Sequence, residues 1–166
     1  MVQVPRSGQS QLVELTAIDD PYPLYGKLRL QGTRPRAGEI ALATSVAQSL
    51  RVQRGDMLNL GAARLRISAL IDEEPDRVGQ GFRLGGSALI DRASLAQTAL
   101  VQPGSLYTSH VRVALRDPAQ AAALAKQWRK QFAAQGGQVR DSSQAAPGLQ
   151  RFITRLGQFL SLVALS

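Results

Sequence analysis

Catalytic chemistry needs a nucleophile, a base or a bound ion, so the residue types that could supply these come first. His110 is the only histidine and there is no cysteine. A thiol nucleophile, a thiolate zinc site and any two-histidine metal site are therefore excluded. A Ser-His-Asp triad would have to be built on His110, which sits in a strand-like stretch, Ser109–Leu115. No Gly-x-Ser-x-Gly elbow occurs anywhere in the chain. Gly26-Lys27 is followed by Leu28 where a phosphate loop needs Ser or Thr, so nucleotide hydrolysis is not expected. Gly79-Gln80-Gly81 with Gly85-Gly86 approaches a dinucleotide loop, but Leu84 holds the place of the third glycine. A glycine-rich connector is the better reading. Asp72, Glu73, Glu74 and Asp76 could pair as acid and base or hold a cation. Their crowding around Pro75 and the neighbouring Arg77 favour a solvated loop. Arg54-Gly55-Asp56 spells an adhesion tripeptide, read here as turn chemistry between a helix and a strand. The residues thus define no catalytic, metal or cofactor site, and no enzyme activity is expected.

The elements that would position these groups follow from periodicity and punctuation. Gln11–Ile18 reads as a strand, with Val13, Leu15 and Ala17 on one face, stopped by Asp19-Asp20-Pro21-Tyr22-Pro23. Leu24–Leu30 is a second extended stretch. Glu39–Ala43 is a short strand running into a helix near Ser45–Leu50, capped by Thr44 or Ser45. A hairpin follows: Leu58 and Leu60 on one arm, Gly61-Ala62 between, and Leu65, Ile67, Ala69 and Ile71 alternating on the other arm. Ser87–Ile90 is a strand, and Asp91 caps a helix over Ala93–Ala99. Asp117-Pro118 opens the clearest helix, whose apolar stripe is Ala121, Leu124, Ala125, Trp128 and Phe132, ending at Gly136-Gly137. Gln138–Arg140 reads as an edge strand.

The 166 residues are 44% hydrophobic and 19% charged, enough apolar material for a packed core, built from Leu, Val, Ile and Ala because aromatics are only 5%. The net charge of +8 is uneven. Residues 1–100 carry 12 basic and 10 acidic side chains, and residues 101–166 carry 8 and 2. With only three lysines and few stacking aromatics, the excess reads as an Arg-rich surface and not as a nucleic-acid interface. Met1–Arg6 has no apolar core of the kind that opens a signal peptide. From Phe152 the chain is apolar on all sides of a helix through Ile153, Leu156, Phe159, Leu160, Leu162, Val163 and Leu165. Such a helix is buried in protein or lipid, and residues 151–166 read as the start of a truncated transmembrane helix.

The order and spacing of several short runs resemble the large outer domain of MacB-like and FtsX-like ABC-transporter permeases. These runs are Glu39-Ile40-Ala41-Leu42-Ala43, then Ala47, Leu50, Val52, Gly55-Asp56, Leu58 to Leu60 and Leu65 to Ile71. The resemblance is strongest to the YbbP-like branch. It rests there on Asp20-Pro21-Tyr22-Pro23-Leu24, Glu74-Pro75-Asp76-Arg77, Gly81-Phe82-Arg83-Leu84-Gly85, Ala88-Leu89-Ile90 and Gln102-Pro103-Gly104-Ser105-Leu106. Gly86 departs from the pattern, where a bulkier or basic residue is expected. The resemblance implies an α+β fold with two subdomains. One is a porter-like α/β sandwich from residues 1–20 and 105–150, and the other an inserted β-rich, sabre-like subdomain from 21–104. It implies an inner-membrane protein whose domain faces the periplasm, driven by a separate cytoplasmic ABC ATPase, working as a permease dimer, and meeting a periplasmic partner or a lipid-like substrate. This domain would carry ATP-driven motion of the membrane helices outward, with no catalysis, cofactor or nucleic acid of its own. The alternative reading is a periplasmic module that binds a lipid or another hydrophobic ligand.

Overall fold

A computed structural model describes residues 1–74 and 85–141. Its contacts divide the chain into two units, Met1–Arg112 and Val113–Ser166. The first is a mixed sheet with two short helices, and the second contributes one helix to the described residues, so the class is α+β.

The first unit is built from β1 (Val2–Gln3), β2 (Ser10–Gln11), β3 (Val13–Ile18), β4 (Arg29–Gly32), β5 (Glu39–Ala43), β6 (Met57–Leu60), β7 (Ala63–Glu73) and β8 (Gly86–Asp91). Their order is β2-β1-β6-β7-β5-β8-β3, with β4 added on β7. The β6–β7 hairpin has the expected two-residue loop, with Leu58 opposite Leu65 and Leu60 opposite Ala63. β5 lies parallel to β7 and antiparallel to β8, and β3 closes the other edge parallel to β8.

The strands of residues 1–20 therefore pair inside this sheet: β1 with β6, and β3 with β8. Ser109–Leu115, expected as a strand, has no regular secondary structure, and neither does Gln138–Arg140. Leu24–Leu30 is extended as a strand only from Arg29. The 2-residue strand at Val2 was not foreseen, because one apolar residue among polar ones carries no periodic signal; Val2 is nonetheless fully buried beside Leu60.

Two apolar layers lie on the two faces of the sheet. The larger gathers Val2, Ile40, Leu42, Val46, Leu50, Leu58, Leu60, Leu65, Ile67, Ala88 and Ile90, with Val13, Leu15 and Ala17 packed against it. The smaller gathers Ile18, Ala41, Ala69, Ile71 and Leu89 beneath Tyr22, Leu28 and Leu30. β7 serves both layers. The row Leu65, Ile67, Ala69, Ile71 was expected on one face, but the register slips between Ile40 and Ala41, which pair with Ile67 and Ala69. The extra residue, Ser68, is a β-bulge, and a bulge reverses which side chains face which way. Leu65 and Ile67 join the larger layer, and Ala69 and Ile71 the smaller one.

Helix α1 (Thr44–Leu50) leaves β5 directly and buries Val46, Ala47 and Leu50. The expected side-chain cap from Thr44 or Ser45 is absent. Ala43 occupies the capping position, and the Thr44 hydroxyl lies 3.2 Å from the Ile71 carbonyl and 3.3 Å from Asp72 Oδ1. A helix that starts with no intervening loop places its threonine inside the first turn, where the neighbouring strand is nearer than the free amides. Helix α2 (Arg92–Gln97) is capped as expected by Asp91, which accepts from the Ala93 amide at 2.7 Å. Leu95 packs against the larger layer, Ser94 accepts from the Gly38 amide at 2.9 Å, and the carbonyl of Thr98, just past the helix, accepts from the Ala62 amide at 2.8 Å. α2 is thus tied to two loops of the sheet by hydrogen bonds, and Ser94 and Thr98 are fully buried.

In the second unit, Asp117 accepts from the Ala119 amide at 3.0 Å and opens a short 3-10 turn, Pro118–Gln120. The chain continues into α3 (Ala121–Phe132), and a left-handed Gly136 stops it. Ala125 is buried and Ala121, Leu124 and Trp128 are half-buried, as the stripe requires, while Phe132 at its end is 36% exposed. Arg129 holds the returning chain, donating to the Val139 carbonyl at 3.0 Å and to Asp141 Oδ2 at 3.2 Å.

Candidate functional site

Two of the buried polar side chains, Glu74 and Ser87, lie where β7 ends and β8 begins. β5 separates these two strands along the sheet and stops at Ala43, so a gap opens beyond it. Glu74 and Ser87 bridge that gap: the Ser87 hydroxyl donates to Glu74 Oε2 at 2.5 Å, and the Tyr22 hydroxyl lies 3.4 Å from Oε1. Glu74 is only 5% exposed, although its position in a charged run reads as a solvated loop. Regular alternation does not mark it, because Asp72 and Glu73 are both exposed and the pairing with β4 shifts register between Arg29 and Leu30.

The carboxylates that might have formed an acid–base pair or a cation site are dispersed among different partners. Asp72 accepts from Gln31 Nε2 at 2.8 Å, Glu73 pairs with Arg29 at 3.0 Å on the surface, and Glu74 is turned inward to Ser87. Three adjacent carboxylates have three separate sets of partners, and no group of three or more potential metal ligands occurs among the described residues. Asp76, Arg77 and the glycine-rich segment through Leu84 lie outside the described residues.

The remaining tempting residues resolve as architecture. In Arg54-Gly55-Asp56, the Gly55 amide donates to the Ile67 carbonyl at 2.8 Å, and Asp56 Oδ2 accepts from the Gln53 amide at 2.8 Å. That is a turn docked on the bulged strand. His110 is exposed in a stretch without regular secondary structure and bonds to no described residue. Ser87 is engaged by a carboxylate and has no imidazole partner. The arrangement can fix strand ends and display loops; no nucleophile–base pair is assembled among the described residues.

Gly86, where a bulkier residue was expected, has a steric reason. A Cβ there would lie 2.3 Å from Val46 Cγ2 and 3.5 Å from the Ala43 Cβ. The start of β8 passes directly under α1, and only hydrogen fits.

No helix among the described residues is long and apolar enough to cross a membrane, and the expected span beginning at residue 151 lies outside them. No family model matches the chain. The chain is 36% identical over 100 residues, 59% of its length, to a curated relative. That relative is the uncharacterized ABC transporter permease YbbP of Escherichia coli (strain K12), and the chain spans 12% of its length.

Proposed function

We propose that this chain is the periplasmic part of a MacB/FtsX-like permease, carrying ATP-driven motion of membrane helices to a periplasmic partner or lipid-like substrate. The observation that carries the reading is the 36% identity over 100 residues to an ABC transporter permease. A hydrogen-bonded sheet anchored on two apolar layers suits a part that must transmit displacement without deforming. In this reading the ATPase is a separate cytoplasmic subunit, the permease is a dimer in the inner membrane, and residues 151–166 begin a membrane helix.

The absence of cysteine makes the location directly testable. Gln48 is exposed on α1 and its side chain holds no other element. In the full-length permease carrying Gln48→Cys as its only cysteine, a membrane-impermeant maleimide is expected to label the protein once the outer membrane is opened, before lysis. Labelling that requires rupture of the inner membrane would sink the periplasmic assignment.

The apolar C-terminal run gives a second expectation. Deleting Phe152–Ser166 should leave the melting temperature within about 2 °C, as for loss of a segment outside the core. Self-association measured by sedimentation should fall. A large drop in melting temperature of the monomer would make the run part of the core and count against its being a membrane entry.

A further inference from the structure

Four polar residues from four separate places on the chain form one continuous line. The Arg34 guanidinium donates through Nη1 to the Tyr22 carbonyl and through Nη2 to the Asp19 carbonyl. It thus grips both ends of the turn between β3 and β4, which is closed by the Tyr22 amide on the Asp19 carbonyl at 3.1 Å. The Tyr22 ring lies on the smaller apolar layer and its hydroxyl reaches Glu74. Glu74 in turn takes the Ser87 hydroxyl. We propose that Arg34 is a positioning residue which, through Tyr22, fixes Glu74, so that the 19–22 turn and the adjoining ends of β7 and β8 move as one body.

Each link has a reason to be stiff. Two carbonyls of one turn match the planar fork of arginine, a geometry that lysine cannot reproduce. The ring of Tyr22 is packed against the smaller apolar layer, so the place of the hydroxyl is set by the place of the backbone that Arg34 holds. Glu74 is buried, and a buried carboxylate deprived of a donor loses stability, so displacing Tyr22 is felt at Glu74. Ser87 then passes the constraint to a strand that is not a neighbour of β7 in the sheet. The backbone ladder alone provides no such link beyond Ala43. The relay rests on the geometry of this chain and not on the permease reading, and its failure would leave the maleimide result untouched.

Amide hydrogen exchange on the full chain tests it. Arg34→Ala should speed exchange about tenfold at residues 72–74 and 86–88, as loss of a charge-assisted hydrogen bond would. Tyr22→Phe, which keeps the ring on its layer, should do the same, and the double variant should add little to either. Arg34→Lys should fall on the side of Ala. Effects of Arg34→Ala confined to residues 19–23, or fully additive effects in the double variant, overturn the relay. Should Arg34→Ala not fold, Tyr22→Phe alone decides: unchanged exchange at 86–88 overturns the proposal.

Discussion

Leu65→Ala is expected to cost about 2–5 kcal/mol of folding stability, the range for truncating a fully buried leucine in a layer that cannot collapse around the gap. Leu65 is 0% exposed, sits opposite Leu58 in the hairpin, and belongs to the larger apolar layer. Marginal domains hold only about 5–15 kcal/mol, so the variant should unfold at much lower urea, and its midpoint can be read by circular dichroism. Leu12→Ala is the control. Leu12 is 55% exposed, and its truncation should change stability by no more than about 0.5 kcal/mol. A loss below about 1 kcal/mol for Leu65→Ala would mean that the layer on this face is not the core of the unit.

Gly86→Ala is expected to cost about 1–3 kcal/mol, the usual penalty for forcing a methyl group into a filled space. The collision is with Val46 Cγ2, a buried side chain that cannot swing away. The identity of the obstacle supplies the test. In a Val46→Ala background the added methyl should be much better tolerated, so the double variant should be more stable than the two single losses added together predict. Strict additivity in urea titrations would show that Gly86 is required for its backbone and not for the space beneath α1.

Much of the fold was legible where the chain repeats itself or punctuates. The hairpin over 57–73 shows alternation on both arms around a two-residue loop, Asp91 stands immediately before α2, and Asp117-Pro118 before α3. What was not legible depends on neighbours distant in sequence. Val2 is a strand because Leu60 and Gln11 flank it, and nothing in residues 1–6 says so. The Ser109–Leu115 stretch has the composition of a strand but, among the described residues, no partner to make it one. Strand propensity is in large part a statement about packing, which a segment cannot supply alone. Thr44 has the chemistry of a cap, and the nearness of Ile71 and Asp72 decides otherwise.

No sequence motif marked the candidate site: the chain has no phosphate loop, no nucleophile elbow and no thiol. The site, Tyr22 with Glu74 and Ser87, was hidden because the three residues are separated by 52 and 13 positions. A carboxylate in the run Asp72-Glu73-Glu74 looks equally solvated at each place until the end of β7 is known.

The bulge at Ser68 has a consequence for how many strands one edge can hold. β5 occupies one edge of β7 along Arg66–Ile71, so β6 and β4 must share the other. They do so in succession: β6 takes Ala63–Arg66, and β4 takes Ala69–Glu73. The handover falls at the bulge, where Gly32 ends β4 with φ of 127°, and a Cβ there would lie 2.3 Å from the Ser68 carbonyl oxygen. The extra twist that a bulge adds turns the two halves of the edge away from each other, so each strand meets its own half without obstructing the other. Shortening β7 by one residue would leave both strands competing for one register, and the sheet would have to give one of them up.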